Sequence, residues 1–378
     1  MIDVLNARWP QRLLRQPWGI IGLIAAIGGF GAIVLYSAAG GSATPWAANH
    51  VVRLAFVLPL MLLLGLVPPA FWLRWAFVLY AAVLLALLLV EFIGALGGGS
   101  QRWLELGFLR LQPSELMKIA LVLALARVYQ YLPLRYIGRA QGLMLPLLLV
   151  LLPVGLVLLQ PDLGTSVTLI LGGATIMFLA GLSIWHFLIP GAIGLASLPI
   201  LFNLLHDYQK KRVLIFLDPG ADPLGAGYHI TQSKIAIGSG GLWGKGFLNG
   251  SQSHNLFLPE PHSDFIFATM AEEWGLAGGI GLLIAYGLLF AWGWRVALRA
   301  QTGFERLVAG GLTMTIFWYV FINLLMVMGL APVVGLPLPL MSHGGSALLT
   351  VALAFGILIG IDNATRRNAE PRTLGGPF

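Results

Sequence analysis

The sequence predicts an all-α, polytopic membrane protein of about ten transmembrane helices, with a large extracytoplasmic loop between the seventh and eighth. Three observations carry that prediction. Hydrophobic residues make up 58% of the 378-residue chain and charged residues only 10%, and the mean hydropathy is +0.86. A soluble core with a polar shell cannot be assembled from that mixture, so the bilayer is the solvent. The apolar residues also fall in uninterrupted runs of roughly 17 to 25 residues, the length that crosses a hydrocarbon core of about 30 Å. Finally, the arginines cluster in every second connection between those runs.

The runs lie at about 18–39, 51–67, 71–93, 114–130, 142–160, 163–181, 185–205, 265–294, 305–330 and 344–361. The first is expected to be a retained span: from Trp18 to Tyr36 it exceeds the roughly 7 to 15 residues of a signal-peptide core, although SAAGGSA follows it like a cleavage site. Forty-eight Gly and twenty-two Pro suit membrane helices, where glycine permits close contacts and neighbours satisfy the backbone freed by proline. Arg8, Arg12 and Arg15, then Arg74, then Arg127, Arg135 and Arg139, then Arg295, Arg299 and Arg306, and finally Arg366, Arg367 and Arg372 mark the cytoplasmic side. Both termini are therefore expected on the cytoplasmic side of the membrane. The long loop at about 206–263 carries Lys210, Lys211, Arg212, Lys234 and Lys245 on the other side, as long loops tolerate. The net charge of +7 thus reads as topology; the dispersed cations form no nucleic-acid surface. With no Cys, disulfides, thiolate metal sites and cysteine nucleophiles are excluded. The chain is expected to form one domain, 1–378.

This topology places the polar leftovers on one side. GSQRWLELGFLRLQPSELMK (99–118), QPDLGTS (160–166), the long loop with Asp264, and PLPLMSHGGS (337–346) all converge on the outer face. The cytoplasmic connections carry only lone His186 and Glu305 besides arginines. Any chemistry is expected outside. In PEPHSDFIFATMAEEWG (259–275), 274–294 suffices to cross the membrane, so Glu272 and Glu273 belong near the outer interface and Asp264 about two turns further out. Asp264 and Glu272 lie roughly 12 Å apart along such a helix, too far for the carboxylate pair of a glycosidase. An N-cap or first-turn acid facing the helix dipole is the structural alternative for Asp264.

Glu115 and Lys118, at i and i+3 one turn into the fourth run, are expected to pair, as a structural ion pair or as a polar wall of a cavity. Trp103 reads as an interfacial belt residue. Arg102, Arg110 and Lys210 to Arg212 suit lipid headgroups or a phosphate-bearing substrate. GSGGLWGKGF resembles a phosphate loop, but Ser239 stands where the first glycine belongs and Gly246 where Ser or Thr belongs, so nucleotide binding is excluded. His254, His262 and His343 lack metalloprotease spacing. YHITQSKIAI is weakly amphipathic and suits a helix on the outer membrane surface or a covered loop helix.

GSGGLWGKGFLNGSQSHNLFLPEPHSDFIFATMAEEWG (238–275), RWLELGFLRLQPSELMK (102–118), QPDLGTS and GLAPVVGLPLPLMSHGGSALL (329–349) together resemble the SEDS family (shape, elongation, division, sporulation) of bacterial cell-wall polymerases, over nearly the whole chain. GKGFLNGSQ, FLPE and PVVGLPLPL resemble its elongation and rod-shape branch more than its division branch. Departures are His343 where Tyr is usual, Ser263 where Thr is common and Trp274 where Leu is common. The resemblance implies a peptidoglycan glycosyltransferase that polymerises lipid II outside the cytoplasmic membrane, beside a class B penicillin-binding protein. Forming a β-1,4 bond from an α-linked sugar pyrophosphate inverts the anomeric carbon, and needs a base for the acceptor hydroxyl and positive charge for the departing pyrophosphate. The resemblance gives Asp264 the essential role, as base or as ligand of a loosely held Mg²⁺, and implies substrate contacts for Trp103, Arg102, Glu115, Lys118, Asp162, Lys245, His262 and Ser342. A dedicated metal site is not expected. A lipid II flippase, which would need polar residues through the midplane, and a non-catalytic scaffold, which would need no acid, are the alternatives.

Overall fold

A computed structural model describes residues 16–97, 100–106, 109–197, 210, 214–215, 218, 226–254, 257–258 and 260–369. Its helices follow the apolar runs closely: α1 (Trp18–Ala38), α2 (Trp46–Leu64), α3 (Pro69–Ile93), α4 (Pro113–Tyr131), α5 (Ala140–Leu159), α6 (Leu163–Leu179) and α7 (Trp185–Ala196). After the long loop come α8 (Ala226–Ser239) and the short α9 (Ser251–His254), then α10 (Ile266–Arg299), α11 (Gly303–Val327) and α12 (Gly345–Ala369). By length and composition, seven are fit to cross a membrane: α1, α2, α3, α5, α10, α11 and α12. Proline is accommodated inside α2, α5 and α7, as expected where neighbouring helices and not water surround the backbone.

Burial sorts the helices into layers. α12 is the most buried of the candidate spans and α3 the least, while α4 is enclosed from Pro113 to Ala126 except at Leu116. The outer layer exposes large apolar side chains such as Val52 and Phe56 on α2 and Leu148 and Leu151 on α5. That pattern would be ruinous in water and fits acyl chains. Gly31 brings α1 onto the backbone of Met341; a Cβ there would lie 2.7 Å from the Met341 Cα. The loop before α12 is thereby walled in by α1.

The all-α expectation needs one addition. Within the polar stretch after α3, β1 (Ala95–Gly97), β2 (Ser100–Leu106) and β3 (Leu109–Leu111) form a small antiparallel sheet in the order β1-β2-β3. Only the end of SQRWLEL, Leu104 to Leu106, alternates apolar and polar as a strand does. Glu105 and Arg110 are opposite each other in the register, and Arg110 Nε donates to Glu105 Oε1 at 2.7 Å, a cross-strand charge pair that favours this pairing. Of the long loop, Lys211 and Arg212 lie outside the described residues. α8 is a covered loop helix on one face: Ile230, Ser233 and Ala236 are buried, and Ser233 Oγ donates to the Val327 carbonyl at 2.7 Å.

α10 is interrupted. Gly275 has φ 64° and ψ −161°, a region open essentially to glycine alone. The two carbonyls before the break accept from the loop, Glu272 O from Lys245 N and Glu273 O from Gly246 N, each at 3.0 Å. The amides beyond it donate back, Leu276 N to Gly241 O at 2.9 Å and Ala277 N to Leu242 O at 3.0 Å. Residues 241–246 therefore act as a backbone splint across the broken turn and replace the intrahelical bonds lost there.

Candidate active site

Asp264 stands in the turn just before α10, whose N-cap is Phe265 without a side-chain cap bond. The N-cap alternative for Asp264 is thereby corrected, because tertiary contacts fix this turn instead. Three successive carbonyls are held from outside the turn. His262 O accepts from His343 N at 2.9 Å, Ser263 O from Ser342 Oγ at 2.6 Å, and Asp264 O from Asn323 Nδ2 at 2.9 Å. Ser342 Oγ in turn accepts from Leu338 N at 2.7 Å, and Asn323 Nδ2 also donates to Leu336 O at 2.7 Å. The PLPLMSH segment and α11 thus grip the backbone on both sides of Asp264. Its half-buried carboxylate lies against Gly335, where a Cβ would sit 3.6 Å from Oδ2.

One helical turn along α11 from Asn323, Tyr319 reaches a second polar centre. Lys118 Nζ lies 2.7 Å from Glu115 Oε1, and both side chains are almost wholly buried. The Tyr319 hydroxyl accepts from Lys118 and donates to Glu115. The predicted pair therefore exists as a triad, with every charge satisfied in a low-dielectric setting where an unpaired one would be costly. Asn323 and Tyr319 are four residues apart, so the residues of α11 that reach the Asp264 carbonyl and the triad are about 6 Å apart along the helix axis.

The remaining predicted residues have defined partners. Asp162 caps α6, accepting from Thr165 N at 3.1 Å and Thr165 Oγ1 at 2.9 Å, with Gln112 Nε2 at 3.1 Å. Arg102 Nε and Nη2 donate to the Gln160 and Pro161 carbonyls at 3.0 and 2.6 Å, placing a cation at the C-terminus of α5. Its Nη1 approaches Asp162 Oδ2 at 3.9 Å. Trp103 lies on β2 next to Arg102, partly exposed. Lys245 Nζ binds Glu272 Oε1 at 2.6 Å and Ser251 Oγ at 2.7 Å; Glu272, fully buried, also accepts from Gln252 N at 2.9 Å. Glu273 accepts from Ser37 of α1. The paired glutamates at the head of α10 thus bind the loop and α1.

Next to the turn, His262 stacks on Trp46 with centroids 4.2 Å apart, and its Nε2 lies 3.3 Å from Glu260. His343 Nε2 lies 3.3 Å from Arg53 Nη1. Burial holds the His343 imidazole down at about 4, helped by the positive fields of Arg53, His262 and His50. Burial lowers His262 too, with Glu260 opposing the shift. Among the described residues no three His, Asp or Glu form a metal-binding group.

Residues 17–367 match the model of the FtsW, RodA and SpoVE cell cycle proteins. The chain belongs to this SEDS family. It is 47% identical over 340 residues to the Escherichia coli K12 protein named peptidoglycan glycosyltransferase MrdB, covering 88% of this chain and 89% of that one. A solved chain from a peptidoglycan synthase complex that coordinates polymerization and crosslinking superposes with a TM-score of 0.80 at 35% identity, over 94% of this chain and 99% of that one. The rod shape determining protein RodA of Thermus thermophilus superposes with a TM-score of 0.71 at 32% identity, over 96% and 100%.

In this SEDS protein, sequence reasoning missed Asn323, Tyr319, Arg53 and Trp46. A signal for the first two was available: Tyr and Asn four residues apart within an apolar run share a helix face, and buried polar groups in a membrane helix need partners.

Proposed function

We propose that this peptidoglycan glycosyltransferase polymerises lipid II at the outer face of the bacterial cytoplasmic membrane during elongation and rod-shape maintenance, with Asp264 as its central residue. The observation that carries the reading is the triple grip on the His262, Ser263 and Asp264 carbonyls, which fixes one half-buried carboxylate against a glycine. A fixed carboxylate next to a residue without a side chain leaves room for a sugar hydroxyl and orients the proton acceptor before substrate arrives. In the proposed step, the acceptor hydroxyl gives its proton to Asp264 as its oxygen attacks the anomeric carbon. The bond from that carbon to pyrophosphate breaks, and the pyrophosphate leaves with the electron pair. Asp264 is also the residue that would hold Mg²⁺ against the pyrophosphate, and the ion would supply charge for the leaving group.

The architecture we propose is a single domain, 1–378, of ten spans, α1 to α7 and α10 to α12, with both termini cytoplasmic and the 206–263 loop outside. The alternating arginines support that orientation. Glu115 and Lys118 form a wall of the substrate cavity; Trp103, Arg102, Asp162, Lys245, His262 and Ser342 shape its rim, Arg102, Asp162 and Ser342 by holding backbone. A class B penicillin-binding protein is the proposed partner. A flippase is disfavoured because the acids gather at the outer ends of the helices. The test is polymer formation from fluorescent lipid II by purified protein: glycan strands from the wild type and none from Asp264→Ala support the reading, and transfer of lipid II across liposomes without polymer would replace it with transport.

A further inference from the structure

Residues 241–243 present Gly, Leu and Trp, with Leu242 66% and Trp243 83% exposed. The rest of the loop gives their depth. Phe247 stacks on Tyr36 and Leu248 approaches Gly41, both at the outer end of α1. Residues 241 and 242, by contrast, bond to the Leu276 and Ala277 amides, two and three residues beyond Trp274. Trp274 packs edge-on against Phe30, 5.2 Å between centroids, and Phe30 lies eight residues, about 12 Å, below the end of α1. The chain therefore dips from Phe247 toward the membrane and turns at 241–243. There it meets the start of the crossing stretch of α10, where Leu276, Ile280 and Leu283 are exposed. A loop at that level needs its backbone satisfied by protein. The break at Gly275 does this by trading intrahelical bonds for bonds to the splint.

We propose that residues 241–243 form a re-entrant tip inserted into the outer leaflet, with lipid at the acyl–headgroup boundary as its partner. An indole with an apolar body and one N–H suits that boundary, and the tip continues the lipid-facing surface of α10. Through the splint, the bilayer then helps hold the outer half of α10, which carries Asp264 at its head.

The chain has no Cys, so Trp243→Cys and Leu242→Cys each provide a single thiol for a small environment-sensitive fluorophore. Both positions are exposed, and substitution leaves no cavity. Labelled full-length protein in nanodiscs would be titrated with iodide, and separately prepared with doxyl-labelled lipids. Ser42→Cys, in the exposed connection between α1 and α2, serves as the aqueous reference. Lipid-borne quenching several-fold stronger than at position 42, with matching protection from iodide, is the expected result. Iodide quenching equal to that at position 42 would overturn the proposal. So would shielding from both quenchers, or cross-linking at 243 to a second copy or to the penicillin-binding protein, which would assign the tip to a protein interface.

Discussion

At the residue scale, Asp264 is defined by what grips its backbone. Asp264→Ala should abolish polymerisation while membrane insertion and partner binding persist, because the three bonds that hold this turn use backbone carbonyls, which the substitution keeps. Near-normal strand synthesis by the purified variant with its partner would remove the base or cation-ligand role. Asn323→Leu tests positioning. It strips the shared donor from the Asp264 and Leu336 carbonyls, a loss of about 1–3 kcal/mol for buried groups left unmade. We expect kcat to fall about tenfold or more, with KM for lipid II little changed. A KM effect alone would show that Asn323 contacts substrate instead. His343 gives a pH signature. Its pKa is depressed to about 4 from 6.5, so the folded clamp binds fewer protons than the released loop and is fully supported above pH 6.5. That support is lost as pH falls from 6.5 toward about 4. Protonation there would confront Arg53 and His50 from α2 and the neighbouring His262, with Glu260 the nearby acid. Hydrogen exchange at 262–264 should accelerate over that window in the wild type and much less in His343→Tyr; identical profiles would exclude His343 as the cause. Asp264 is marked as the candidate in the sequence by its motif. The grip on it is not, since His262, Ser342 and Asn323 meet only when three distant segments converge.

At the element scale, helix positions were legible because apolar run length reports the bilayer directly, whereas β1 to β3 and the break in α10 were not. Three short strands add too little periodicity to stand out, and a glycine at a helix break resembles the many glycines that only permit packing. Gly275→Ala tests the break. The added Cβ is disfavoured by roughly 1–3 kcal/mol on backbone conformation alone, and it would also lie 2.7 Å from the Leu242 carbonyl oxygen. Loss of the splint should appear as new proteolytic sensitivity at 240–246 and reduced activity; unchanged sensitivity would mean that the splint does not depend on this geometry. The Glu115–Lys118 pair has a third member, Tyr319, which alters its expected behaviour. Glu115→Ala and Lys118→Ala should each impair folding or activity and couple strongly in a double-mutant cycle. The charge-swapped double variant should recover only part of the loss, because the hydroxyl between α4 and α11 is placed for the native polarity. Full additivity would show that the two residues do not communicate. Full recovery in the swap would make Tyr319 a bystander.

For the whole molecule, the question is which lateral face meets a partner, since the outward layers expose apolar side chains on nearly every side. The stretch MTIFWYVFINLLMVM was legible as a bulky face, but the structure halves it. Tyr319, Asn323 and Met326 turn inward to the polar centre and core, leaving Phe317, Trp318, Phe321 and Met328 partly or well exposed beside Phe290 of α10. A single partner helix packed along those aromatics would lie against α10, which follows Asp264 in the chain, and α11, which holds its carbonyl through Asn323. Docking there could shift the pair relative to each other only if the partner prefers one arrangement, so activation requires differential binding and not contact alone. We therefore expect the purified chain to polymerise lipid II several-fold faster with a stoichiometric class B penicillin-binding protein than alone, at equal detergent and divalent-cation concentrations. Phe321→Ala should weaken partner binding and reduce the stimulated rate while leaving the partner-free rate intact, because its side chain faces away from the site. Equal rates with and without partner would remove the activation and leave the enzyme standing. Stimulation that survives Phe321→Ala and Trp318→Ala together would place the partner on another face of the bundle, and the search would move to α2 and α5, where the next exposed apolar rows lie.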